Sequence, residues 1–305
     1  MSDQEGHFAD RLLEAIAQKG SPVCVGIDPR VDRLPKEFVV EDGDGVAQIE
    51  AVGRWAVEVL NIVAPHVPAI KPQIAYFECL AGPQGFYGLA AYATICRIAR
   101  EMGLVVIGDA KRGDIGSTAE AYAAAHLMGP CAVDAVTVNA YFGADGLKPF
   151  LDVGAETGRG AFALVRTSNP SAKIIQDFAG KSGMTFYQHI GGQIAQIGRG
   201  EGMLGESGYS LLGAVVGATY PQEARQLRKM MPQQIFLVPG YGAQGATAED
   251  CAASFKPDGT GAIVNASRSV IYAHSRPEFA DLAWQDAVAQ AAKDFAADIA
   301  GAVLP

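Results

Sequence analysis

The 305-residue sequence has no surplus of positive charge: 24 Lys and Arg stand against 33 Asp and Glu, a formal net charge of −9. An acidic chain repels nucleic acid and anionic membranes, so neither is an expected partner, and an anionic ligand needs a local cationic pocket. The five cysteines, Cys24, Cys79, Cys96, Cys131 and Cys251, show no C-x-x-C spacing. Such an odd, dispersed set points to reduced thiols rather than a disulfide framework or a zinc site. No apolar run reaches the roughly 18 residues of a membrane-spanning helix. The N-terminal stretch, with Asp3, Glu5 and Asp10, does not read as a signal peptide. The expected location is the cytoplasm. The histidines (His7, His66, His126, His189 and His274) lack metal-ligand spacing, so no metal site is expected and their roles read as structural or surface ones. Fixed-period repeats and low-complexity tracts are missing too.

With 49% hydrophobic and 19% charged residues, the chain can bury a large core. Short apolar runs, too short for helices, recur at 22–27, 68–70, 104–109, 132–138, 161–165, 211–217, 235–238 and 262–264. They read as strands buried on both faces of a parallel sheet. Between them lie helical stretches at 46–63, 86–102, 145–153, 184–197 and 221–231, the last opened by Pro221. A lead-in helix over 7–18 precedes the first strand, and two helices are expected after the last. Residues 169–183 read as a long polar loop, and the glycine-rich 198–208, the best linker candidate, reads as a surface insertion rather than a domain boundary, because the same rhythm resumes beyond it. A doubly wound sheet is the rival architecture, but no G-x-G-x-x-G follows the first strand. The expected fold is an α/β (β/α)8 TIM barrel, one domain over residues 1–305, with its chemistry on the loops after the strands.

Polar residues at strand ends are candidates by position: Asp28, Lys71, Asp109, Lys111, Ser168, Gln244 and Arg268. After the third strand, Asp109 and Lys111 stand two apart, so an extended chain points both side chains the same way. Asp114 follows a turn at Gly113, and Ser117 or Thr118 is placed to cap a helix through Ala125. Carboxylates and an ammonium at a strand mouth are costly to bury unpaired and concentrate at active sites. A salt bridge tying a loop is the plainer alternative; the preceding strand and following helix favour catalysis. After strands seven and eight, Gly240, Gly242 and Gly245 permit a tight, phosphate-binding loop, and Arg268 can fork onto two phosphate oxygens.

The strings Asp-Ala-Lys-Arg-Gly-Asp-Ile-Gly-Ser-Thr-Ala, Val-Pro-Gly-Tyr-Gly-Ala-Gln-Gly and Ile-Val-Asn-Ala-Ser-Arg together resemble the longer form of the orotidine 5′-phosphate decarboxylase family. The likeness runs in order from about residue 20 to 275. It implies a dimeric barrel that converts orotidine 5′-phosphate to UMP and CO₂ with no metal or organic cofactor. It also implies a charged tetrad of Lys71, Asp109, Lys111 and Asp114, with Asp114, Ile115 and Thr118 reaching the site of the neighbouring subunit. Asp28 and Lys71 would meet ribose hydroxyls, and Ser168 or the adjacent Thr167 the pyrimidine amide. Gly240, Gly242, Gln244 and Arg268 would grip the phosphate. This chain departs from the shorter members in having Gly116, where they usually have Pro, and in its longer 169–183 and 198–208 segments. Two alternatives stand beside this reading. Sugar-phosphate aldolases and decarboxylases share D-x-K-x-x-D but bind Mg²⁺ and place a Glu where this chain has Lys71, which would repel the ion. A non-catalytic phosphosugar-binding protein would have no use for two lysines among carboxylates.

Overall fold

The computed structural model describes residues 6–40, 45–80 and 86–304. Asp3 and Glu5, part of the N-terminal reading, lie outside these residues. In chain order the helices and strands are α1 (Phe8–Lys19), β1 (Val23–Ile27), α2 (Gly45–Val63), β2 (Ala69–Pro72), α3 (Ala75–Glu78), α4 (Tyr87–Glu101) and β3 (Val105–Arg112). There follow α5 (Gly116–Leu127), β4 (Ala135–Val138), α6 (Ala144–Thr157), β5 (Gly160–Arg166), α7 (Ala172–Gln176), α8 (Phe186–Ile197) and β6 (Leu212–Val216). The chain continues through α9 (Pro221–Met230), β7 (Phe236–Pro239), α10 (Ala248–Ala252), β8 (Ala262–Ala266), α11 (Arg268–Ile271) and α12 (Trp284–Val303).

The strands pair in parallel in sequence order, and β1 pairs with β8 to close an eight-stranded barrel. The expected (β/α)8 architecture is therefore present. A continuous apolar run suits these strands because helices cover their outer face while side chains of other strands fill the inner one. Alternation along each strand then carries chemistry upward. Val105 and Ile107 on β3, Ala69 on β2, Ala135 on β4 and Ile263 on β8 belong to the interior cluster. Two residues further along the same face, Asp109, Lys71, Thr137 and Asn265 line a cavity at the C-terminal mouth.

The opposite end of the barrel is plugged by α1. Phe8 packs edge-on against Phe162, with ring centroids 5.7 Å apart. A side chain at position 160 would collide with it, since a Cβ there would lie 2.3 Å from Phe8 Cδ1. The 198–208 segment is a loop between α8 and β6, and it is pinned to that plug. Asp10 accepts hydrogen bonds from the Glu206 and Ser207 amides, both at 2.9 Å, and His7 Nε2 donates to the Met203 carbonyl at 3.1 Å.

Two local expectations need correction. Neither Ser117 nor Thr118 caps α5: the helix begins one residue earlier, at Gly116, and its N-cap Ile115 offers no side-chain acceptor. Segment 169–183 is also not all loop, because it contains the one-turn helix α7. Five residues are too few for a helical period to stand out in the sequence.

Candidate active site

The mouth of the barrel encloses about 470 Å³. At its inner end the Asp109 carboxylate lies between two ammonium groups. Lys71 Nζ donates to Oδ2 at 2.5 Å, and Lys111 Nζ donates to Oδ1. Lys71 and Asp109 are only 5% and 7% exposed. Burial pushes the Asp109 carboxyl upward, but the two ammonium charges outweigh it and hold the group well below the usual carboxylate range. For Lys71, burial disfavours the ammonium, and Asp109 and Asp28 reverse that and raise its pKa. A buried ion pair of this kind adds little to stability over apolar packing, so its presence calls for another explanation.

Asp109 and Lys111 meet, but not by simple strand alternation. The β3–β4 register slips between Gly108, opposite Val136, and Arg112, opposite Val138. Inside that bulge Lys111 takes φ +50°, a left-handed conformation that costs a non-glycine residue about 1–2 kcal/mol. Thr137 supports it from β4. Its Oγ1 accepts from the Ala110 and Lys111 amides, each at 2.9 Å, and donates to Asp109 Oδ1 at 3.2 Å. Behind the bulge, Arg112 bonds Glu78, lies 5.6 Å over the Tyr122 ring and donates to His126 Nε2 at 3.3 Å. Burial, helped by the Arg112 charge, pushes His126 down to about 4, so it serves as a neutral acceptor, the structural role its isolation suggested.

Asp28 and Asn265 also face the cavity, and each has a buried Oδ1 with no hydrogen-bond partner among the described residues. Two acceptors so placed fit ligand hydroxyl groups. The Asp28 backbone is held by Tyr272, whose hydroxyl donates to the Asp28 carbonyl at 3.0 Å and accepts from the Arg30 amide at 2.7 Å. Tyr272 in turn stacks on the buried Trp55 ring.

The β5 loop closes one side. Arg166, fully buried, pairs with Asp177 at 2.7 Å and lies 4.0 Å over the Tyr220 ring. Gln176 accepts from the Thr167 amide at 3.0 Å and donates to Thr167 Oγ1 at 2.7 Å, tying α7 to the rim. Thr167 Oγ1 spends its own proton on Asn169, also at 2.7 Å. Ser168, the next residue, lines the cavity beside it.

From the loops after β7 and β8, Gly240, Tyr241, Ala243, Gln244 and Arg268 also line the cavity. Gly240, Gly242 and Gly245 have φ of +118°, +66° and +88°, conformations open to glycine and strained for other residues. Gly242 lies outside the cavity wall; its amide donates to the Ala246 carbonyl at 3.0 Å and shapes the loop.

The profile of the orotidine 5′-phosphate decarboxylase / HUMPS family matches residues 21–281. This chain belongs to that family. It is 44% identical to the orotidine 5′-phosphate decarboxylase of Rhodopirellula baltica over 92% of this chain and 95% of the relative. The Deinococcus radiodurans enzyme of the same name is 41% identical over 87% and 89% of the two chains. Among solved structures, Leishmania donovani OMP decarboxylase superposes with a TM-score of 0.75 at 28% identity, covering 97% of this chain and 98% of that one.

For this family member the fold gathers most of the residues singled out by sequence. Asp28, Lys71, Asp109, Lys111, Ser168, Gly240, Gln244 and Arg268 line one cavity. Asp114, Ile115 and Thr118 do not line it. Asp114 Oδ1 accepts from the Ile115 amide at 2.8 Å, and Ile115 is 57% exposed. Sequence reasoning passed over Thr137 and Asn265. The available signal was a polar side chain two residues after an inward apolar one, Ala135 and Ile263, near the end of a strand.

Proposed function

We propose that this chain converts orotidine 5′-phosphate to UMP and CO₂, with no metal or organic cofactor. The observation that carries the reading is Asp109, an ionised carboxylate held between two ammonium groups in a cavity that Arg268 and Gln244 also line. Breaking the bond between C6 of the pyrimidine and its carboxylate leaves an electron pair in the ring plane, where the π system cannot take it up. Stabilisation must then be electrostatic, from charges already in place. Asp109 opposes the substrate carboxylate, and Lys111 is the cation beside C6 and the donor of the proton that replaces CO₂. Leu164, Val215 and Leu237 also line the cavity and make part of its wall apolar.

Asp28 and Lys71 meet the ribose hydroxyls, with Asn265 alongside. Ser168 is the pyrimidine contact in this reading, because the Thr167 hydroxyl is already committed to Gln176 and Asn169. Gln244 and Arg268 grip the phosphate. Both Asp109 oxygens face ammonium groups, which opposes a cation there and favours the decarboxylase branch over the Mg²⁺-dependent sugar-phosphate branch. Purified protein treated with EDTA is expected to consume orotidine 5′-phosphate, followed by ultraviolet absorbance, as fast as untreated protein. A loss of activity that Mg²⁺ restores would move the chain to the other branch.

The phosphate assignment has its own test. Arg268→Ala is expected to weaken binding of orotidine 5′-phosphate by about 2 kcal/mol, the loss of a charge-assisted contact, or roughly 30-fold. Turnover of the phosphate-free nucleoside should change little. Equal losses on both substrates would show that Arg268 does something else.

The working unit in this proposal is a homodimer with Asp114, Ile115 and Thr118 entering the partner's cavity. In support, Asp114 and Ile115 on the loop after β3, with Thr118 in the first turn of α5, neighbour the β4 loop that carries Tyr141 (73% exposed) and Phe142, an apolar rim with an acid in it. The two loops are packed together, since a Cβ at Gly146 would lie 2.9 Å from both the Asp114 carbonyl and Phe142. The chain acts as one catalytic domain in the cytoplasm, without nucleic acid or membrane partners. All five cysteines are free, burial pushes the Cys24 and Cys251 thiols up to about 12, and no described helix is long and apolar enough to cross a membrane.

A further inference from the structure

We propose that Thr137 is the positioning residue that fixes the Lys111 ammonium against Asp109, an inference that rests on the decarboxylase reading. Among the described residues, Lys111 is the only non-glycine with positive φ. Such a conformation persists where the surroundings over-determine it, and strain of this kind concentrates at functional sites. Here the determining group is one oxygen. Between the pairs Gly108–Val136 and Arg112–Val138, β3 has three residues and β4 has Thr137 alone. The ladder cannot satisfy the extra β3 amides with β4 carbonyls, and Thr137 Oγ1 accepts from two of them, Ala110 and Lys111.

A threonine hydroxyl has one proton and two lone pairs. Both lone pairs face these amides, and the proton goes to Asp109 Oδ1, the same oxygen that receives the Lys111 ammonium. One side chain thus ties the backbone of Lys111 to the anion that receives its side chain. The hydroxyl has no capacity left for a substrate, so although Thr137 lines the cavity it acts through Lys111 and Asp109. β-Branching limits its χ1 and makes the tie stiff. Valine would fill the same space without the oxygen, and serine would keep the oxygen.

The test compares Thr137→Val and Thr137→Ser with wild type on orotidine 5′-phosphate. Thr137→Val is expected to lose about 100-fold in kcat, in the usual range for a misplaced proton donor, with KM within about threefold. Thr137→Ser should stay within about fivefold of wild type, because the oxygen carries the effect. Should Thr137→Val fail to fold, Thr137→Cys compared with Thr137→Ser replaces it. The two side chains match in shape, the thiol is a poorer acceptor, and a lower kcat at unchanged KM is again expected. Thr137→Val (or Cys) keeping kcat within twofold, or a serine variant as impaired as the valine one, would overturn the proposal. Wild type inert toward the substrate would instead sink the underlying decarboxylase reading, and this proposal with it.

Discussion

Lys111→Ala is expected to abolish decarboxylation, with a fall of at least about 1,000-fold in kcat, while the protein stays folded. Lys111 and Lys71 are the two ammonium groups on Asp109, but they are not equivalent. Lys71 is buried on the barrel wall, with Asp28 as a second negative neighbour, whereas the Lys111 side chain is about half exposed, into the cavity mouth. In the proposed mechanism Lys111, of these two, is therefore the one to give up a proton to a bound pyrimidine and recover one from solvent. Truncation leaves Asp109 still paired with Lys71, so no buried charge is orphaned and the fold should survive. Circular dichroism and binding of UMP check that the variant is intact. If it kept more than about a tenth of wild-type turnover, proton donation would belong to another group.

The second large effect concerns the shared site. Asp109→Asn and Asp114→Asn are each expected to be nearly inactive as homodimers. Dissociated, mixed in equal amounts and re-associated, they should recover activity. In the mixed dimer one site collects both substitutions and the other collects none. Random pairing makes about half the dimers mixed, each with one intact site of two, so about a quarter of the control activity should return. Wild type carried through the same treatment is that control, since Asp109→Asn leaves the buried Lys71 without its main counter-charge and refolding losses must be measured. If Asp114 served its own chain, every site in the mixture would carry a substitution and nothing would return. The direction of Asp114 in the single chain supports sharing: its carboxylate turns to the Ile115 amide and does not line the cavity of its own barrel.

The cluster of Lys71, Asp109 and Lys111 illustrates how local and non-local information divide. Lys71, Asp109 and Lys111 could be picked out one at a time because each follows a short apolar run, and a strand end in an alternating α/β chain is where barrel chemistry resides. The two-residue spacing of Asp109 and Lys111 suggested that they would meet. They do, but through a bulge and a left-handed residue that the spacing did not imply. Thr137 stands some 26 positions further on, inside an Ala-Val-Thr-Val run whose composition reads as ordinary core strand. Asn265 was hidden in the same way on β8.

By itself the sequence determined the element rhythm, the barrel class, the absence of metal-ligand spacing and the identity of the charged and glycine-rich strand ends. These depend on periodicity and on residues close in the chain, where one segment's pattern is enough. Tertiary structure alone decided which side chains share the cavity. It set the β3–β4 slip that puts two amides on Thr137, anchored α7 through the buried Arg166 and Thr167, and turned Asp114 out of its own site. It also placed α1 and the 198–208 loop together under the barrel. Each of these depends on the register between strands and on barrel closure, which bring together residues tens to hundreds of positions apart, and no local pattern encodes that pairing.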